Sequence, residues 1–169
     1  MITQIDLSGI HAYLNESQIT DAVQRSNGAI TSVLEGRFAE ADQLGWMNPA
    51  RWQNHAEIDQ ILSMAKEIRN EAEVFVLIGV GGSNRGAQSV IETLGDQKVK
   101  ILYAGTNLSS QDLRKNLAVL EGKSVYIDNI AKDFNTLEPG IHFRYFREYL
   151  EAHYGNDAVK RIIVTGSGG

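Results

Sequence analysis

The sequence predicts an α/β fold, a parallel sheet flanked by helices behind a helical extension, and three observations predict it. From Val74 onward, short apolar runs alternate with amphipathic stretches. That alternation marks strands joined by helical crossovers, which makes the sheet parallel and its connections right-handed. The first run passes without a spacer into a glycine-dense turn and then a helix-like stretch, VFVLIGVGGSNRGA from Val74 to Ala87. The residues before it carry helical spacing instead.

Taken in order, Glu16 to Leu34 sets Ile19, Val23, Ile30, Val33 and Leu34 on a broad stripe after Asn15, an N-cap residue. Glu57 to Arg69 repeats the pattern with Ile58, Ile61, Leu62, Ala65 and Ile68. Between them, Gly36 to Asn54 is less regular and holds Trp46, Pro49 and Trp52. Val74 to Ile78 is β-branched and aromatic, too short for a helix, and reads as a strand buried on both faces. Asn84 to Leu94 places Ala87, Val90, Ile91 and Leu94 at helical spacing. A strand at Val99 to Ala104, a helix at Ser110 to Leu120, a strand at Ser124 to Ile130, a helix at Glu138 to His153 and a strand at Arg161 to Thr165 complete the alternation. The four strands are expected as parallel neighbours. Tyr145, Phe146, Tyr149 and Leu150 are read as core. Gly166 to Gly169 reads as a linker scar or truncation point, with a phosphate-cradling turn as the alternative.

At 169 residues and 43% hydrophobic content the chain can bury one core. A net charge of -5 without a basic stripe argues against a nucleic-acid or anionic-membrane surface. The absence of cysteine excludes disulfides, thiolate metal sites and cysteine nucleophiles, and suits a reducing cytoplasm. The start, MITQIDLSGI, lacks a signal-peptide pattern, and no apolar run approaches a membrane span. A soluble cytoplasmic protein with no nucleic-acid or membrane partner is expected.

Ligands on such sheets bind outside the carboxyl ends of the strands, so the loops at Gly79, Thr106 and Ala131 form the candidate site. In the turn Gly79-Val80-Gly81-Gly82-Ser83, glycine permits positive φ and close backbone approach. The helix that follows opens with unpaired N–H groups at its positive dipole end, a natural place for phosphate. A dinucleotide fingerprint fails, because Asn84 stands at the sixth position of GxGxxG and Val99 to Ala104 ends without a carboxylate. No GxxxxGK[ST] motif is present. The bland alternative is a tight strand-to-helix turn and nothing more.

Three further segments accompany the glycine turn: LGW at Leu44 to Trp46, YAGTNLSS at Tyr103 to Ser110, and TLEPGIHFRYFREYLEAHYG at Thr136 to Gly155. Their order and spacing resemble bacterial glucose-6-phosphate isomerases, in which the turn reads GIGGSYLGA, the second segment resembles FAGNNISS, and SKSGTTTEP precedes the third. The resemblance covers nearly the whole chain beyond the first helix and is to the first half of that family. It implies a flavodoxin-like three-layer α/β/α sugar isomerase (SIS) domain over 71–169, incomplete at its C-terminus and packed as one unit with a helical extension over 1–70. It implies a phosphosugar ligand, glucose 6-phosphate or fructose 6-phosphate, a homo-oligomer, and no cofactor.

In the family, the serine of GIGGS and the hydroxyls of SKSGTTTE hold the sugar phosphate. Carried over, these give Gly81, Gly82, Ser83 and Asn84 on one loop and Lys132, Asn135 and Thr136 on the other. The second loop departs from the family pattern: Ala131 lacks a hydroxyl, Asp133 puts a carboxylate in place of one, and Asn135 replaces a threonine. A carboxylate about 4 Å from a phosphate costs on the order of a few kcal/mol at a partly shielded site. Weak phosphosugar binding is therefore expected.

The family's reaction, ring opening and proton transfer between C1 and C2, needs a base, a ring-opening acid and a positive group. The resemblance places all three downstream of Gly169, so no catalytic residue is assigned in this chain and no isomerase activity is expected of it alone. Glu138 matches a family glutamate with a supporting role; equally it reads as a helix N-terminal carboxylate before Pro139 at the first helical position. Two functions remain open: the first half of the glycolytic and gluconeogenic isomerase, or a non-catalytic phosphosugar-binding or interaction domain. His11, His55, His142 and His153 show no metal-ligand spacing, and no metal site is expected. His142 and His153 read as packing or solvent-edge residues, and Arg85 as either solvated or reaching an anion.

Overall fold

The computed structural model describes residues 6, 8–37, 47, 54–95 and 98–166. The LGW segment, Pro49, Trp52 and Ser167 to Gly169 lie outside the described residues. The chain divides into two compact units, Met1–Ile58 and Asp59–Gly169.

In the first unit a 3₁₀ turn at Ser8–Ala12 precedes helix α1, Glu16–Leu34. Asn15 caps it as expected: Asn15 Oδ1 accepts from the Gln18 N–H, and Gln18 Oε1 accepts from the Asn15 N–H, both at 3.0 Å. This reciprocal box satisfies two of the orphan donors at the helix start. No residue of α1 is buried. Helix α2, His55–Glu71, runs across the boundary with most of its residues in the second unit, and begins two residues before the expected point, where Asn54 Oδ1 accepts from the Ala56 N–H.

The second unit is a four-stranded parallel sheet in the order β2-β1-β3-β4. Its strands are β1 Val74–Ile78, β2 Lys100–Ala104, β3 Val125–Ala131 and β4 Ile162–Gly166. Val76 lies opposite Leu102 on one side and Ile127 on the other, and Ile127 opposite Ile162. The expected parallel neighbours are thus observed, with β3 and β4 each displaced by one residue toward the C-terminus.

Helices α3 Gly82–Leu94, α4 Ser110–Val119 and α5 Leu137–Tyr154 form the crossovers. On one face Val74, Val76, Ile78, Val125 and Ile127 meet Leu113 of α4 and Phe146 and Leu150 of α5 in the main core. Phe146, Ile127 and Leu120 are completely inaccessible to solvent. On the other face Tyr126 packs with Ala72 and Val99, joined by Ile68 and Phe75. Of the expected aromatic core of α5, Phe146 and Leu150 are buried and Tyr149 packs partly against them, but Tyr145 is 48% exposed. The core meets α5 along His142, Phe146, Tyr149 and Leu150, and Tyr145 falls off that stripe. A 3₁₀ helix at Gly155–Arg161, which periodicity did not reveal, brings the chain into β4.

Among the described residues no helix is long and apolar enough to cross a membrane.

Candidate functional site

The chain leaves β1 for β2 on one side and later returns past β1 to β3. The strand order therefore reverses between β1 and β3, and in a sheet of this kind the ligand crevice opens there, outside the carboxyl ends. The two loops at that point are 79–83, after β1, and 132–136, after β3. They carry every binding residue anticipated from the sequence except Asn84, and Gly82 and Ser83 already form the start of α3.

The first loop owes its course to glycine. A Cβ on Gly79 would stand 3.1 Å from the Ile130 carbonyl oxygen and 3.2 Å from Ser83 Cβ, so a side chain there would push against β3. Gly81 holds φ 60° and ψ −129°, a backbone conformation that side chains rarely adopt. α3 then begins at Gly82 with no side-chain cap. Ser83 is half-buried in its first turn, whose N–H groups form the positive end of the helix dipole, while the Asn84 and Arg85 N–H groups donate to the Gly81 carbonyl.

Asn84 is fully buried. Its Nδ2 donates to the carbonyls of Gly79 and Ala104, each at 3.3 Å, and ties the ends of β1 and β2 together. Its Oδ1 is buried with no hydrogen-bond partner, as is Asn129 Oδ1 on β3, one register step beyond Asp128. Buried unpaired polar atoms are uncommon and concentrate at functional positions. The sequence drew no attention to Asn129, because a single amide in a buried strand carries no periodic signal.

The second loop is closed on itself. Asp133 Oδ1 accepts from both the backbone N–H and Nδ2 of Asn135 at 2.9 Å, and Thr136 Oγ1 donates to the Asp133 carbonyl at 2.9 Å. The Asp133 carboxylate therefore occupies the backbone donor of Asn135 and one of its two side-chain N–H donors. Thr136 is the N-cap of α5 but leaves the helix without a side-chain cap. Phe134 is 48% exposed, and its ring lies 2.8 Å from where a Cβ on Gly166 would stand. Ala131, last residue of β3, is buried, and Lys132 is exposed.

Glu138 is half-buried in the first turn of α5. The helix starts at Leu137, so Pro139 occupies its third position, not the first as expected, and is buried. A Cβ on Gly105, which holds φ 80°, would meet Pro139 Cα, Gly79 N and Ile78 Cγ2, each at 3.1 Å. This close approach locks the start of α5 against the ends of β1 and β2. Arg85 donates to Gln88 Oε1 at 2.7 Å on its own helix and is exposed.

His142 is more structural than its sequence suggested. It is 3% exposed, and its Nδ1 accepts the Gly105 N–H at 3.2 Å, which leaves the proton of the neutral ring on Nε2. Burial pushes its pKa below the usual value, against the opposing pull of a hydrogen bond with the Asn107 backbone and of Asp112. His153 instead lies exposed, stacked 4.0 Å from the Tyr149 ring. Among the described residues no cluster of three or more His, Asp or Glu could hold a metal ion.

No family model matches the chain. Glucose-6-phosphate isomerase of Exiguobacterium sibiricum is 36% identical over 159 residues, spanning 87% of this chain and 35% of that protein. Those of Staphylococcus saprophyticus and Lactococcus lactis are 31% and 32% identical, each spanning 96% of this chain and 38% and 39% of their own lengths. Over most of its length the chain is similar to a part of these glucose-6-phosphate isomerases. It spans 35–39% of the length of these glucose-6-phosphate isomerase relatives. Among solved structures, a hypothetical protein of Thermus thermophilus superposes with a TM-score of 0.69 at 23% identity, over 88% of this chain and 36% of that one. A glucose-6-phosphate isomerase of Chlamydia trachomatis superposes with a TM-score of 0.55 at 19% identity, over 69% of this chain and 25% of that one. These two likenesses establish the three-layer α/β/α fold.

Proposed function

We propose that this chain is the phosphosugar-binding N-terminal part of a glucose-6-phosphate isomerase, an SIS-type domain serving glycolysis and gluconeogenesis in the cytoplasm. The observation that carries the reading is the pairing, at the strand-order reversal, of two helix starts without side-chain caps: α3 after Gly79 to Gly81 and α5 after Ala131 to Thr136. Gly81, Gly82 and Ser83 supply neutral donors on one side of the crevice, and Lys132, Asn135 and Thr136 line the other. Two helix dipoles and a lysine favour an anion there. Asn84 acts indirectly, by fixing the Gly79 and Ala104 carbonyls. Glu138 has a supporting place in the first turn of α5. Domain limits near residue 70 and homo-oligomeric assembly belong to the same reading.

A second reading, a non-catalytic phosphosugar-binding or interaction domain, is favoured by one feature. The Asp133 carboxylate already takes the Asn135 backbone donor and one of its two side-chain N–H donors, which a phosphate would use. Phosphosugar affinity is therefore weak, with Kd in the millimolar range, about −4 kcal/mol. The double substitution Ala131→Ser, Asp133→Ser removes the internal carboxylate and adds hydroxyls. Calorimetric titration of fructose 6-phosphate at low salt is expected to show tightening of roughly tenfold, about 1.4 kcal/mol. An unchanged affinity in the double variant, or tight binding by the unmodified chain, would remove Asp133 from the site.

A further inference from the structure

A cavity of about 180 Å³ opens at the carboxyl end of β2, on the far side of β1 from the crevice just described. Gly105, Asn107, Asp112, Lys115, Asn116 and His142 line it. Its back wall is tied by hydrogen bonds, since His142 accepts from the Gly105 N–H and the Asn107 side chain is engaged twice. Asn107 Oδ1 accepts from the Ser109 N–H at 2.8 Å, and its Nδ2 donates to Asp112 Oδ2 at 3.1 Å.

The charges at its mouth are unmatched. Asp112 and Lys115 sit three residues apart on α4, a spacing at which opposite charges commonly pair. Here Asp112 is held by Asn107, and Lys115 makes no ion pair among the described residues. The Asn116 side chain likewise has no hydrogen bond among them. One anion, one cation and one neutral amide thus converge on a space equal to about six water molecules at roughly 30 Å³ each.

We propose that this cavity is a binding site for a small zwitterion, a free α-amino acid with a short side chain, whose ammonium group meets Asp112 and whose carboxylate meets Lys115 and Asn116. A phosphate or simple carboxylate would set its charge against Asp112, and a simple cation would do so against Lys115. A ligand carrying both charges satisfies both walls, and a cavity of this size suits a molecule of a few heavy atoms.

The test is an NMR titration of the full chain with L-serine, following the His142 ring and Asn116 side-chain amide signals. Lactate, which lacks the ammonium, and ethanolamine, which lacks the carboxylate, are the comparison probes. L-serine shifts both signals with a Kd on the order of millimolar, and the two comparison probes bind at least tenfold more weakly. Asp112→Asn, which keeps an acceptor for Asn107, and Lys115→Met each weaken L-serine tenfold or more. Absence of any shift, lactate or ethanolamine binding as well as L-serine, or unchanged affinity in both variants would overturn the proposal. Should a variant fail to fold, the three-probe comparison on the unmodified chain decides alone.

Discussion

At the level of single residues, His142 and Gly105 form the joint on which both proposed sites depend. Gly105 combines a positive φ with a crowded position, where a Cβ would meet three atoms at 3.1 Å, two of them backbone. Gly105→Ala is expected to cost about 2 kcal/mol or more, from the left-handed backbone and the forced separation of β1 from α5. A urea unfolding curve shifted by less than a few tenths of a kcal/mol would contradict this. His142 adds a pH dependence. Its folded pKa lies below the ordinary 6.5 because burial disfavours the imidazolium. The unfolded chain therefore binds this proton more readily, and the contribution of His142 to stability is complete above about pH 6.5 and falls as the pH drops below it. Urea midpoints measured from pH 7.5 to 5 should decline in the unmodified chain, and His142→Gln should flatten that decline even where it lowers stability throughout.

Among the elements, the end of α2 is fastened to the sheet through one guanidinium. Arg161 lies 4.7 Å from the Tyr126 ring and 4.2 Å from the Tyr154 ring, and donates to Ser124 Oγ at 3.1 Å. Tyr126 in turn donates to Glu71 Oε2 at 2.7 Å, at the last residue of α2, and burial with that acceptor pushes its pKa up to about 12. Arg161→Ala should destabilise the second unit by about 1–2 kcal/mol, through two lost cation–π contacts of roughly 0.5–1 kcal/mol each. Arg161→Lys should recover only part of that, for want of a planar face. Thermal unfolding of the two variants measures both effects, and an unaffected Arg161→Ala would contradict them. The strands and crossovers were legible because buried parallel strands are continuous apolar runs and the crossover helices set apolar residues three and four apart, most regularly in α3. The Arg161 network was not, since residues 71, 126, 154 and 161 are brought together by topology alone. The first loop was legible for a local reason, that Gly79 and Gly81 are needed where they stand. The second differs from expectation in one respect. The spacing suggests that Asp133 projects its charge at a ligand, whereas a carboxylate two residues before an unpaired N–H folds back onto it, an Asx turn that spacing alone does not distinguish.

For the whole molecule, on the proposed reading, the chain carries the frame of a phosphosugar site and none of the groups that move protons between C1 and C2. Purified chain should give no interconversion of glucose 6-phosphate and fructose 6-phosphate above a mock preparation in a coupled assay, because binding cannot substitute for a base and a ring-opening acid. Turnover would place those groups within this chain. On the same reading the anion site lies between β1 and β3, shared by the starts of α3 and α5. Amide chemical-shift mapping with fructose 6-phosphate tests that placement most directly. The largest shifts are expected at Gly81, Gly82, Ser83, Asn135 and Thr136, growing in the Ala131→Ser, Asp133→Ser variant. Shifts confined to other surfaces, or none in the double variant at tens of millimolar ligand, about −2 to −3 kcal/mol of binding energy, would contradict it.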